Sequence, residues 1–362
     1  MRNTRSIAAG HIIATGAAKI IYTRITHHVM LVPMRVMITG MTGFIAHHIV
    51  EDILKNTDWE VVGLDRLDLS GTFHRLTDIE IWEKEKHRVF FAWHDLKAPV
   101  NQFVAKQLGH IDVILHLAAS THVDRSIDNP MEFVMDNVVA TANLLDYARA
   151  YPVKQILYFS TDEVFGPAPE GVAYKEWDRY NSGNPYAATK AGGEELCLAY
   201  ANTYNLPVFI THTMNVFGER QHPEKFIPMV IRKVLNGEKV TVHGNKEKTK
   251  AGSRFYIHCR NVAAAVRFLL ERATKGEKYN IVGEKEIDNL ALAQFIASVV
   301  GKPLLYEMVD FHSSRPGHDL RYALDGSKLA QMGWAPPKTF EASMEKTVQW
   351  YLNPKHRSWL LL

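Results

Sequence analysis

The sequence predicts an α/β protein, a doubly wound parallel sheet followed by a smaller α/β lobe. Apolar, strand-like runs alternate with helix-like segments, a glycine-rich turn comes after the first run, and the alternation breaks down after about residue 214. With 362 residues, 46% of them hydrophobic, the chain can bury a full core.

In chain order, RVMIT (35–39) is the first strand and leads into a helix from about Phe44, and EVVGL (60–64), RVFFAW (88–93) and DVILHLAA (112–119) continue the strands. A long helix is expected across 130–150, then QILYFS (155–160), a helix over about 186–204 and PVFITHT (207–213). Pro, Gly and charged loops open the second lobe. RFYIH (254–258), the helix after it and KYNIV (278–282) read as a return to the large sheet, ahead of helices near 288–300 and 339–352. The expected division is a first domain over 34–214, rejoined by 254–283, a lobe built mainly from 215–362, and a basic leader over 1–33.

The formal net charge is +3, but Arg2, Arg5, Lys19 and Arg24 stand in a leader without acids, so residues 34–362 carry one net negative charge. No basic stripe with interleaved aromatics is present, which argues against a nucleic-acid surface. No apolar run approaches the roughly 18 residues that span a bilayer, so no membrane partner is expected. Two cysteines, Cys197 and Cys259, are too few for a disulfide framework and fit a reducing cytoplasm. The leader admits three readings: a targeting peptide, a disordered segment, or residues ahead of a true start at Met34, where MRVMITG opens the first strand at once. The last is favoured, because AAGHIIATGAAKIIYTRITHH lacks a clear amphipathic period.

The turn GMTGFIA places Gly40, Gly43 and Ala46 between a strand and a helix, and Asp65 ends the next strand. Glycines at this spacing let backbone amides and a helix N-terminus approach a pyrophosphate, while the acid binds ribose hydroxyls. This predicts a Rossmann-type domain holding a dinucleotide. Asp65 repels a 2′-phosphate and favours NAD over NADP, although Arg66 beside it is a group that could accept such a phosphate. Asp95, in HDL, ends a later strand and can meet the adenine edge. Paired histidines at 27–28 and 47–48 lack metal-ligand partners at useful spacing, so no metal is expected.

In YAATK, Tyr186 and Lys190 stand one helical turn apart on one face. A lysine ammonium beside a phenol favours the phenolate, and an oxidised nicotinamide adds to the effect, so Tyr186 can act as a base near neutral pH. About 25 residues upstream, STDEVFG puts Ser160, Thr161, Asp162 and Glu163 at a strand end, where Thr161 can bond the hydroxyl that Tyr186 deprotonates. Adjacent strand residues point to opposite faces, so the two acids share a site only if the backbone leaves the strand there. Ser160 and Glu163 also fit a capping box, which such a turn would allow.

Together these features resemble the extended short-chain dehydrogenase/reductases, and STDEVFG is similar to their nucleotide-sugar 4,6-dehydratases. The likeness covers about residues 34–355 and includes HLAASTHVDRSIDNP (116–130), NPYAATKAGGEE (184–195), HPEKFIP (222–228) and RPGHDLRYALD (315–325). It implies NAD as cofactor, catalytic roles for Thr161, Asp162, Glu163, Tyr186 and Lys190, and cofactor contacts that add Phe44, Ile45, Leu96, Leu117, Ala118 and Ala119. Substrate contacts fall on Thr121, Asn215, Lys225, Arg254, Arg315 and His318. The implied reaction oxidises C4 of an NDP-hexose, dTDP-glucose being the expected substrate, removes water across C5 and C6, and returns hydride to C6. The resemblance also implies a homodimer, paired through the helices at about 130–150 and 186–204. The chain departs from the pattern at NVFG (215–218), His243 and Lys285, where relatives usually carry Asn-Asn-Tyr-Gly, tyrosine and asparagine, so dTDP, UDP or another carrier stays open. A 4-epimerase or decarboxylase of the same fold would need Tyr186 and Lys190 but not the acid pair. A silent NAD-binding regulator would need none of them.

Overall fold

Strands with consecutive apolar residues facing both ways, as at 36–38, 61–64 and 113–115, belong in a sheet covered on both sides. The structure, a computed structural model, describes residues 33–68, 70–310 and 321–361. Its strands are β1 (Arg35–Thr39), β2 (Glu60–Asp65), β3 (Val89–Trp93), β4 (Val113–His116), β5 (Gln155–Thr161), β6 (Val208–Thr213), β7 (Asn215–Phe217), β8 (Val240–Gly244), β9 (Ser253–His258), β10 (Lys278–Ile281), β11 (Glu286–Asp288) and β12 (Tyr306–Asp310). Among the described residues, seven of them form one sheet in the order β10-β6-β5-β4-β1-β2-β3, and every neighbouring pair is parallel.

The longer helices are α1 (Phe44–Asn56), α2 (Ala140–Ala150), α3 (Pro185–Thr203), α4 (Phe226–Asn236), α5 (Cys259–Arg272), α6 (Asn289–Val300) and α7 (Phe340–Leu352). Side chains alternate across the sheet as strand geometry requires. Val36 and Ile38 pack with α1 and α5 on one face, and Met37 packs with α2 and α3 on the other. A third core, around Val230, Ile296, Met344 and Val348, lies between α4, α6 and α7 and the small sheets β11-β9-β7 and β12-β8.

The chain runs outward from β1 to β3 and then returns to place β4 on the other side of β1. The crevice beyond the carboxyl ends of β1 and β4 is thus the topological switch point, where open α/β sheets bind ligands. The run expected as one strand over 112–119 stops at His116, because the Leu117 and Ala118 amides donate to Thr39 Oγ1 at 3.2 and 3.1 Å instead of to a neighbouring strand.

One expectation fails. The run 254–258 does not rejoin the large sheet; as part of β9 it pairs with β7 and β11. Only the helix and strand after it return, α5 packing against α1 and β10 taking the sheet edge beside β6. An apolar run of this length carries no mark of which sheet it joins, and the short β7 supplies a parallel partner directly after β6.

Gly40 turns the chain at φ +68°, and a Cβ there would stand 2.8 Å from the Ala118 Cα, backbone against backbone. Gly40→Ala is therefore expected to cost at least about 1–3 kcal/mol, seen in calorimetry as a melting temperature lowered by roughly 2–4 °C per kcal/mol. An unchanged melting temperature would contradict this packing.

Candidate active site

β1 passes through the turn at Gly40–Gly43 into α1. Gly43 caps α1 with backbone alone: no side chain accepts from the first-turn amides, and no acid lies in that turn. These amides, at Phe44 and Ile45 among others, are left for an anion. Asp65, at the end of β2, is held in place on three sides. Its Oδ2 accepts from Thr42 N and Oγ1 at 2.9 and 2.8 Å, and its Oδ1 accepts from Leu67 N at 3.0 Å.

Arg66 is committed elsewhere. It donates twice to Asp136 at 2.6 and 2.7 Å and twice to Asp68 at 3.0 and 2.8 Å, bonds that hold its guanidinium firmly protonated. Asp136 also accepts from Ser120 Oγ at 2.6 Å, and its neighbour Asn137 accepts from Ser120 N at 2.8 Å. Both residues sit on a π-helical turn, Met135–Val139, that interrupts the helical run leading into α2. Such turns shift side-chain direction within a helix.

β5 ends at Thr161, and Asp162–Phe165 wind into one 3-10 turn stopped by Gly166 at φ +74°. The cap of this turn is Thr161, not the expected Ser160: Thr161 Oγ1 accepts from Glu163 N at 3.3 Å, and Ser160 Oγ donates to Glu194 on α3. Thr161 Oγ1 also donates to Asp162 Oδ1 at 3.0 Å and lies near enough to the Tyr186 phenol to offset in part the rise that burial gives its pKa. Asp162 is only 5% exposed, and its Oδ2 has no hydrogen-bond partner among the described residues. Burial first, then the charge of Glu163, push the Asp162 carboxyl up to about 7. Glu163 is half-buried and accepts from Asn184 Nδ2 at 3.1 Å.

Asn184 does two jobs at once. Its Oδ1 accepts from Ala187 N at 2.8 Å and caps α3, while Pro185 fills the first helical position. The helix that carries Tyr186 and Lys190 is thereby tied to the Glu163 carboxylate. Burial, then the Glu163 charge, raise the Tyr186 phenol above its ordinary value. Burial pulls Lys190 down to about 8, and its Nζ lies over the Tyr158 ring, 4.1 Å from the centroid. The protein's own groups thus keep Tyr186 a neutral phenol, and a positive charge brought into the cavity is what would lower it. One turn further along α3, Glu194 accepts from Ser160, Tyr180 and His212 and lies 3.5 Å from Lys278, a buried polar cluster beneath the acid pair.

These groups meet at a cavity of about 560 Å³, within the range of small-molecule sites. Gly40, Gly43, Phe44, Ile45, Leu117 and Ala119 line one end of it, and Thr161, Asp162, Glu163, Tyr186 and Lys190 line the middle. Thr121, Asn215 and Lys225 line it as well. A smaller cavity of about 100 Å³ adjoins at Gly40 and Gly43 and is walled by Asp65, Asp95, Leu96 and Ala118. Free first-turn amides, a backbone approach that only glycine permits and an acid fixed at the end of β2 fit a dinucleotide.

Comparison with known proteins agrees. Residues 36–282 match the NAD dependent epimerase/dehydratase family. The chain belongs to that family. A dTDP-glucose 4,6-dehydratase of Escherichia coli is 35% identical to it, the match covering 89% of this chain and 94% of that protein. The low-salt glycan biosynthesis protein Agl12 of Haloferax volcanii is 38% identical over 88% of this chain and 99% of its own. Among solved structures, a dTDP-glucose 4,6-dehydratase from Streptomyces venezuelae with NAD bound superposes with a TM-score of 0.81 at 32% identity, covering 90% of this chain and 98% of that one.

Within this epimerase/dehydratase frame, two of the substrate positions expected from sequence, Arg315 and His318, lie outside the described residues. Arg254 does not line the large cavity; its guanidinium stacks 4.7 Å above the Tyr322 ring, near enough to Asp162 for its charge to be felt there. Asn184 and Arg66 escape sequence reasoning as organising residues. The Asn-Pro pair before Tyr186 is a helix-start signal that points to the first; nothing local marks the pairing of Arg66 with Asp136. His48 comes within reach of Glu219 and Cys259, their ligand atoms lying within 4.8 Å of one another. His258 and Arg260 already bond the Glu219 carboxylate at 3.1 and 3.2 Å, which makes the group a satisfied polar cluster.

Asp162 yields a test with a definite sign. Its carboxyl is raised from 3.8 to about 7 on folding, so its contribution to stability is full below about pH 4 and is lost as the pH rises through 7. Asp162→Asn, which cannot ionise, is expected to gain on the wild type across that window, by on the order of 4 kcal/mol in all. Denaturant midpoints measured across the window check this; a constant difference would mean that Asp162 titrates normally.

Proposed function

We propose that this chain is an NAD-dependent NDP-hexose 4,6-dehydratase acting on dTDP-glucose and releasing dTDP-4-keto-6-deoxyglucose. The observation that carries the reading is the acid pair: Asp162 and Glu163 open into the cavity that Tyr186 and Lys190 line, one carboxyl buried and raised to about 7, the other half-exposed and held by Asn184. The names of the E. coli and S. venezuelae relatives support the choice of sugar nucleotide.

Elimination of water across C5 and C6 needs a proton removed from C5 and a proton given to the departing C6 hydroxyl, and two carboxyls in opposite protonation states can divide that work. When bound, NAD would supply a reversible hydride acceptor: loss of hydride from C4 makes the ketone that acidifies C5, and return of that hydride to C6 with a proton to C5 leaves no net oxidation. Tyr186 takes the C4 hydroxyl proton, with the Thr161 hydroxyl beside it to orient that group. Lys190 keeps the surroundings positive. Glu163 takes the C5 proton, and Asp162, protonated near neutral pH, donates to the C6 oxygen. Gly40, Gly43, Phe44 and Ile45 hold the pyrophosphate, Asp65 the adenosine ribose, and Asp95 and Leu96 the adenine edge. Thr121, Asn215, Lys225 and Arg254 serve the sugar nucleotide, and the same role is assigned to Arg315 and His318.

The protein is further proposed to work as a homodimer in the cytoplasm. Met131, 64% exposed, and Met135, 37% exposed, stand with Tyr151 and Tyr204 as large apolar groups along the helices at 130–150 and α3 that would pair. Cys197 and Cys259, both free and buried, suit a reducing compartment.

Isotopes separate dehydration from epimerisation. With dTDP-glucose deuterated at C4 in ordinary water, the label is expected in the product's C6 methyl group; with unlabelled substrate in heavy water, deuterium should enter at C5. Label returned to C4 of an intact hexose would instead identify an epimerase.

Variants divide the roles. Glu163→Gln should still oxidise C4 and accumulate reduced-nicotinamide absorbance without forming product, and Tyr186→Phe should block that absorbance change, each lowering turnover at least about 100-fold. Full activity in Asp162→Asn and Glu163→Gln together would reduce the pair to a helix cap.

A further inference from the structure

Arg75 is a buried cation without a counter-ion. It is 3% exposed, yet no carboxylate lies within ion-pair distance of it among the described residues. Its Nε donates to the Arg220 carbonyl at 3.1 Å, and its Nη1 donates to the carbonyls of Thr42 at 3.1 Å and Ser70 at 2.6 Å. Nη2 has no hydrogen-bond partner among the described residues, and Arg75 lines the large cavity. Burial holds its pKa down to about 10; Arg220 adds repulsion, and Tyr351 and Asp65, neither in contact with it, offset the burial only in part. A buried guanidinium that has carbonyl partners but no carboxylate in ion-pair contact is costly, and it persists here because surrounding groups fix it. The C-terminal turn Pro354–Leu360 brings Trp359 against it, 5.9 Å from guanidinium carbon to ring centroid, and the same ring stacks on His74 at 4.8 Å.

The placement says which anion it awaits. Thr42 is the residue before Gly43, so Nη1 is anchored one peptide away from the free amides that begin α1. Ser70 closes the loop that comes after Asp65 and lines both cavities. Arg75 thus stands at the cofactor end of the crevice, opposite a helix N-terminus that has neither cap nor acid. We propose that Arg75 supplies the counter-charge for the bridging diphosphate of the dinucleotide, its free Nη2 completing a clamp with the first-turn amides of α1. This rests on the reading of the crevice as the NAD site. It adds that affinity for the diphosphate comes from a side chain 32 residues beyond Gly43, braced by Trp359.

The test compares wild type, Arg75→Gln and Arg75→Lys, each freed of bound nucleotide, by titration calorimetry with NAD, ADP, adenosine and dTDP. Loss of a charge-assisted bond to a diphosphate should weaken NAD and ADP by about 10- to 100-fold in Arg75→Gln, with Arg75→Lys between, and leave adenosine unchanged. The salt dependence of NAD binding should also flatten in the glutamine variant. Equal weakening of ADP and adenosine would make Arg75 a structural brace, an effect on dTDP alone would assign it to the substrate, and no effect would remove it from the site; each overturns the proposal. A wild type that binds no NAD would instead overturn the cofactor reading. Should the glutamine variant fail to fold, Arg75→Lys against the wild type decides: NAD and ADP should bind more weakly and adenosine equally well. NAD and ADP unchanged, or adenosine weakened as much, would sink the proposal.

Discussion

Adjacent residues of a strand face opposite sides of their sheet, and that constraint governs everything around Asp162 and Glu163. β5 must stop at Thr161 for both acids to reach one cavity, and it stops there because Thr161 caps the next turn and Gly166 ends it in a conformation that other residues adopt only under strain. The peptide at Asn181 closes over Gly166, its carbonyl 2.3 Å from where a Cβ would be. The break in the strand is therefore built from both sides.

The break divides the two acids between environments. Asp162 turns inward, where burial keeps its proton; Glu163 turns outward and meets Asn184. Because Asn184 also caps α3, the spacing between the acid pair and Tyr186 is set by one side chain and not by the accumulated slack of the residues between Glu163 and Asn184. Beneath them Ser160 is bound to Glu194, on the same helix as Tyr186 and Lys190. The strand end and the helix are thus pinned together above and below the cavity, which is how a reactive arrangement is kept to narrow tolerances.

Much of this is legible in the sequence, for identifiable reasons. Most strands of the large sheet carry an apolar run of three residues or more, and the glycine turn, the Tyr-Lys pair and the acid pair are local patterns with local consequences. β9 departs from expectation because an apolar run says that a strand forms but not which edge it meets. Ser160 reads as the cap because the capping pattern tolerates a shift of one residue, and only the strand's true end, at Thr161, decides between them. Arg66 with Asp136, Asn137 with Ser120, and Arg75 with the Thr42 and Arg220 carbonyls join residues that are far apart in the chain. Such pairings are chosen by the fold and leave no periodicity to read.

Trp359 rests on His74, and β10 closes the sheet beside β6. His74, which neighbours the cavity-lining Arg75, and Trp359 are 285 residues apart, so the crevice is steadied by a contact that closes a very long loop. Closing such a loop costs entropy before the contact returns any stability. A ligand that binds best once Trp359 has docked would favour the docked state in turn, so occupancy of the crevice and closure of this distant segment would stabilise each other.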